Sequence, residues 1–106
     1  MARKTSILGQ TFAIDCVDGL DADQAAVGRT YCNQGRIELD GRAADDTQGA
    51  VLVHEVIEVI NYNLEFKLKH STITALSTAL YSWVRDNPAL VVDIVKGRPI
   101  VKRGGK

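Results

Sequence analysis

The chain has 106 residues, 45% hydrophobic and 25% charged, enough for one packed core and too little for two. Thirteen Lys and Arg offset thirteen Asp and Glu, so no overall field draws in nucleic acid or an anionic membrane. With no leader-like opening and no apolar run of membrane-spanning length, neither secretion nor membrane insertion is expected, and the cytoplasm is the expected compartment.

Residues 1–6 read as a loose end. Ile7-Leu8 and a strand over 11–17 flank a turn at Gly9-Gln10, with Phe12, Ile14 and Cys16 alternating with more polar neighbours. Asp18-Gly19 and Asp21 break that pattern, and 22–27 reads as a short helical turn or a loop closing at Gly28. Arg29 to Cys32 and Arg36 to Asp40 form a hairpin around Asn33-Gln34-Gly35, with glycine where a positive φ is needed. On its second arm Ile37 and Leu39 face one way and Arg36, Glu38 and Asp40 the other.

A polar stretch, 41–47, leads into a long helix from about Asp46 to Phe66, with Asp45 and Gln48 spaced as a capping box. Ser71 or Thr72 can cap a second helix that carries Ile73, Leu76, Leu80, Trp83 and Val84 on one face, with Trp83 in the core. Asp86-Asn87-Pro88 ends it. Pro88 then opens a short third helix reaching Lys96 and closed by Gly97. Residues 97–106 form a basic tail, so the single domain spans 7–96. Strands first and helices after argue α+β, with a short antiparallel sheet followed by the three helices. The basic ends read as solvated, so a nucleic-acid role is not expected. Cys16 and Cys32 are too few for a disulfide framework and read as small buried hydrophobes. Tyr31 and Tyr81 read as packing.

The long helix carries the chemistry. From Ala50 to Ile60 the only residues that are not apolar are His54, Glu55 and Glu58. At about 100° per residue, His54, Glu58, Asn61 and Glu65 share a stripe while apolar residues cover most of the rest. A helix buried nearly all round with one polar seam is the expectation. Burying an imidazole beside carboxylates is costly, and a divalent cation is a strong compensator. The run His54-Glu55-Val56-Ile57-Glu58 has the spacing of the zinc-peptidase signature His-Glu-x-x-His, with a carboxylate at the second ligand position. That added negative charge makes the metal a poorer Lewis acid. His70, the other histidine of the chain, is the candidate third ligand, brought back by a helix-turn-helix return. The same spacing also suits a metal-free, hydrogen-bonded His–carboxylate pair. Asn61 and Glu65 either orient the ligands from behind or form the helix's wet edge.

The order of leading strand, the hairpin arm Arg36-Ile37-Glu38-Leu39-Asp40, the polar linker, the run from Val51 to Asn61, then Leu80-Tyr81 and Asp86-Asn87-Pro88, resembles the small zincin-like metallopeptidases common in phage and prophage genomes. The resemblance covers roughly residues 7 to 96. It implies a small zincin-like domain holding one zinc ion, with His54, Glu58 and His70 as ligands and Glu55 as general base. It also implies a peptide or protein substrate lying along Ile37, Glu38, Leu39 and Asp40 as an edge strand, and a phage protein at work in its host's cytoplasm. The chain departs from the pattern twice. Glu58 stands where most members have histidine, and 71–81 lacks the Glu that many relatives carry in the second helix. Both departures favour the alternative, a non-catalytic zincin-like module that binds metal or a protein partner for structural or regulatory ends.

Overall fold

The computed structural model describes residues 3–18 and 28–102. The chain is α+β. Four strands, β1 (Arg3–Ile7), β2 (Gln10–Val17), β3 (Gly28–Tyr31) and β4 (Arg36–Asp40), precede three helices, α1 (Asp45–Leu64), α2 (His70–Asp86) and α3 (Pro88–Lys96). The segment 22–27, read from sequence as a turn or loop, lies outside the described residues, as do 103–106 of the basic tail.

Two hairpins build the sheet. β1 pairs antiparallel with β2 around Leu8-Gly9, and β3 pairs antiparallel with β4 around a short 3-10 turn, Cys32–Gln34. Gly35 closes that turn at φ 59°, the left-handed conformation its position called for. The strand order is β1-β2-β4-β3, with β2 and β4 running parallel and Ile14 opposite Ile37. This corrects the expected antiparallel sheet: the sheet is mixed. Each hairpin is encoded locally by its turn, whereas the way the two hairpins meet is a long-range choice. It also displaces the predicted edge strand. β4 is interior, so the backbone of Ile37, Glu38, Leu39 and Asp40 is paired on both sides and cannot add a substrate strand.

Residues 3–6, expected to be loose, belong to strand β1, which runs on to Ile7. Only Ile7 of the strand is buried, so it is held by its ladder to β2 rather than by an alternation visible in the sequence. Phe12 and Ile37 are completely buried and, with Ile7, Leu39 and Val59 of α1, form the core. Ile14, Val51, Leu52, Val56 and Ile60 pack around them. Burial of each such side chain contributes about 1.5–3 kcal/mol. Asp40, assigned from sequence to the polar face, is buried as well, and its Oδ1 accepts the Arg42 backbone N–H at 2.9 Å. Cys16 is exposed and Cys32 half-buried, so the cysteines are not the core hydrophobes expected.

α1 lies across the sheet, but only Glu55 and Val59 of it are buried, and Tyr62 and Leu64 are exposed. The sheet covers one flank and α2 another, which leaves a third open; burial nearly all round is overturned. Asp45 is already helical and the N-cap is Ala44, with no side-chain bond, so the capping box does not form. The Gln48 side chain instead donates to the Ala43 carbonyl at 3.0 Å, and Asp45 and Asp46 sit favourably at the positive end of the helix dipole. α2 likewise starts earlier than predicted, at His70 with Lys69 as N-cap, so neither Ser71 nor Thr72 caps it.

α2 packs antiparallel on α1. Asp46 near the start of α1 accepts the Tyr81 hydroxyl at 3.0 Å and pairs with Arg85 at 2.6 Å, while His70 at the other end meets Glu58. The inner line of α2 runs through Ile73 and Ser77, both buried. Leu76, Leu80 and Trp83 are turned outward, and Trp83, placed in the core by the sequence reading, is 42% exposed. α3 opens on Pro88 and closes at Gly97 as expected. Among the described residues no helix is long and apolar enough to cross a membrane.

Candidate metal centre

His54 and Glu58 occupy successive turns of one face of α1, and α2 returns antiparallel so that its first residue, His70, lands beside them. The connection between the helices is built for that return. Asn61 accepts the Leu68 backbone N–H at Oδ1 (2.9 Å), and its carbonyl accepts the N–H groups of Glu65 and Phe66. Glu65 and Lys67 adopt left-handed φ values of 54° and 57°, a conformation costing a non-glycine residue roughly 1 kcal/mol or more. Asn61 therefore acts on the loop that carries His70. Glu65 is the exposed C-cap of α1 and, among the described residues, stands outside the ligand group.

One nitrogen of each histidine and one oxygen of Glu58 lie within 4.8 Å of one another. His54 Nε2 is 3.6 Å and His70 Nδ1 is 3.7 Å from Glu58 Oε2, and the two rings stand 5.0 Å apart at 64°. Both separations are too long for hydrogen bonds. They are close to the roughly 3.3 Å edge of a tetrahedron with zinc–ligand bonds near 2.0–2.1 Å. Two imidazoles and one carboxylate are also a donor set of catalytic zinc sites, which keep a further position open. Exposure rises across the group, from His54 at 16% through Glu58 at 34% to His70 at 76%, so the site opens on the His70 side.

Ser77 bears on the orientation of His54. Its hydroxyl donates to the Thr74 carbonyl at 3.0 Å and lies 3.3 Å from His54 Nδ1. With the hydroxyl proton on Thr74, Ser77 Oγ can accept from an Nδ1–H, the tautomer that would leave the His54 lone pair on Nε2, toward Glu58 and His70. Hydrogen bonding of the far ring nitrogen is how metal-ligating histidines are commonly fixed. Ser77 escaped the sequence reading; its one signal is a serine four residues after Ile73, on the line that becomes the inner face of α2. A metal ion held by this group should bind about 10-fold more weakly after Ser77→Ala, with the circular dichroism spectrum unchanged. Competition against a chromophoric chelator measures this, and an unaltered affinity would reduce Ser77 to packing.

Glu55 is rotated about 100° from His54, toward the sheet, and is buried with 7% exposure. Its Oε1 accepts the Thr30 hydroxyl of β3 at 2.7 Å. β3 comes this close because Gly28 has no side chain: a Cβ there would lie 2.3 Å from Val51 Cγ1 and 3.4 Å from Glu55 Oε2. Burial pushes the Glu55 carboxyl above its ordinary value, opposed by the Thr30 hydrogen bond and by His54, reinforced by Glu58 and opposed again by His70. That direction suits a group that takes up a proton near neutral pH. Burial, then Glu58 and Glu55, also raise the Cys32 thiol. Cys32 thus lies in the field of both carboxylates yet outside the ligand group.

Of the residues singled out in the sequence, His54, Glu58 and His70 are brought together, Glu55 stands beside them in the sheet interface, and Asn61 supports the connection. Glu65 and the strand 37–40 are not part of the arrangement. Among the described residues no second cluster of three such ligating groups forms. No family model, no curated protein and no solved structure matches the chain.

Proposed function

We propose that the chain is a zinc-dependent hydrolase, a metallopeptidase of the zincin-like kind its sequence resembles. The observation that carries this reading is the convergence of His54 Nε2, Glu58 Oε2 and His70 Nδ1, at spacings too long for hydrogen bonds and suited to a shared ion. His54, Glu58 and His70 would hold the zinc. A zinc ion bound there supplies Lewis acidity, polarising a carbonyl and making water a stronger acid.

The chain's own residues do the rest. Ser77, accepting from Nδ1–H, would keep the lone pair of His54 on Nε2. Thr30 fixes one oxygen of Glu55 and leaves Oε2 to take a proton from water and return it to the departing amine. Glu58 lowers the net charge of the centre and so moderates its acidity. β3 is an edge of the sheet among the described residues and carries Thr30 beside Glu55. An extended peptide pairing with β3 would therefore run past the base.

A second reading, a metal-binding module without catalysis, is favoured by the carboxylate at position 58 and by the engagement of Glu55 with Thr30. One experiment separates the two. Protein purified without added metal should contain about one zinc per chain, and should cleave an unstructured protein in a way that chelation abolishes and zinc restores. Bound zinc without cleavage would favour the second reading; neither zinc nor cleavage would remove both.

A further inference from the structure

We propose that the chain forms a homodimer in which α3 of each copy lies in the groove between α1 and α2 of the other. The groove is lined by Ile57, Ile60, Phe66, Leu68, Leu76 and Leu80, with a volume near 310 Å³. Asn61 is its one polar lining residue, and Asn61 Oδ1 is already bonded to the Leu68 N–H. Nothing in the groove calls for a polar or charged occupant. An apolar helix fits its chemistry, and the chain carries one.

α3 is that helix. Leu90, Val92, Ile94 and Val95 are 37%, 42%, 58% and 77% exposed, and no residue of α3 is buried against its own chain. Ile100 and Val101 continue the apolar surface at 54% and 73%. With Phe66, Leu76, Leu80 and Trp83, these exposed apolar residues sum to on the order of 1,000 Å² per copy, enough to supply the roughly 800 Å² per partner of a stable interface.

The shape of the chain agrees. It measures 58 × 31 × 29 Å with a radius of gyration of 15.8 Å, well above the ~13 Å of a compact domain of this size. A formal net charge of zero sets no long-range repulsion between copies. A two-fold axis makes the α3-in-groove contact twice, so the area gained is doubled with no new surface required.

Sedimentation equilibrium of the full chain tests this at micromolar concentration. The expected mass is twice 11.5 kDa. Ile94→Glu on α3 and Leu80→Glu in the groove change exposed positions, so both variants should keep the helical circular dichroism of the wild type. Each should weaken dimerisation by about 100-fold or more. A monomeric wild type, or a dimer retained in either variant, overturns the proposal. So does a monomer that floats with phosphatidylcholine vesicles, an outcome that would give the apolar face to a lipid surface.

Discussion

Glu55→Gln should abolish peptide cleavage and leave zinc in place. A positioned general base contributes typically about 10²- to 10⁴-fold to such a reaction, and the amide cannot take up the proton. The substitution disturbs little else. Gln presents a carbonyl oxygen where Glu55 Oε1 accepts the Thr30 hydroxyl, so the link between α1 and β3 survives. Burial already disfavours the ionised form of Glu55, so a neutral replacement should cost the fold nothing. Comparing cleavage of an unstructured protein by the two chains, each loaded with one zinc, measures the effect. A Glu55→Gln variant that cleaves at the wild-type rate would move the base elsewhere and leave Glu55 as a strut between helix and sheet.

The second large effect is on stability. A ligand that binds only the folded chain stabilises it by about 2.7 kcal/mol at 100 times its dissociation constant. For a domain of about 100 residues each kcal/mol raises the melting temperature by roughly 4–8 °C, so zinc in that excess should raise it by about 10–20 °C. His54→Ala should lose nearly all of this shift, because it removes the most buried of the three ligands, the one held by Ser77. Glu55→Gln should retain it. Scanning calorimetry of the three chains with and without zinc separates binding from catalysis. A His54→Ala chain with the full wild-type shift would place the ion at another site.

What could be read from the sequence and what could not divide along the range of the contacts. The β3–β4 hairpin was legible because a turn such as Asn33-Gln34-Gly35 specifies its own closure, whereas of the first hairpin only β2 and the turn before it could be read. His54 and Glu58 were legible because four residues on a helix is a local distance. His70 was legible for a simpler reason: the chain has no other second imidazole. Long-range choices were not legible. Nothing in Arg36 to Asp40 announces that it sits beside β2, which turns a presumed edge strand into an interior one. The burial of Glu55 was hidden by the apolar residues on every side of α1, which leave no periodicity to show which flank meets the sheet. Trp83 and Leu76 looked like core because size dominates a hydrophobic pattern, yet α2 turns the small Ser77 inward beside Ile73.

The most direct measurement of the central claim is anomalous diffraction at the zinc absorption edge from crystals of the zinc-treated chain. The account predicts a single strong peak about 2.0–2.2 Å from His54 Nε2, Glu58 Oε2 and His70 Nδ1. Zinc bound elsewhere in such crystals, with the His70 ring turned to solvent and His54 bonded only to Ser77 and Glu58, would contradict it.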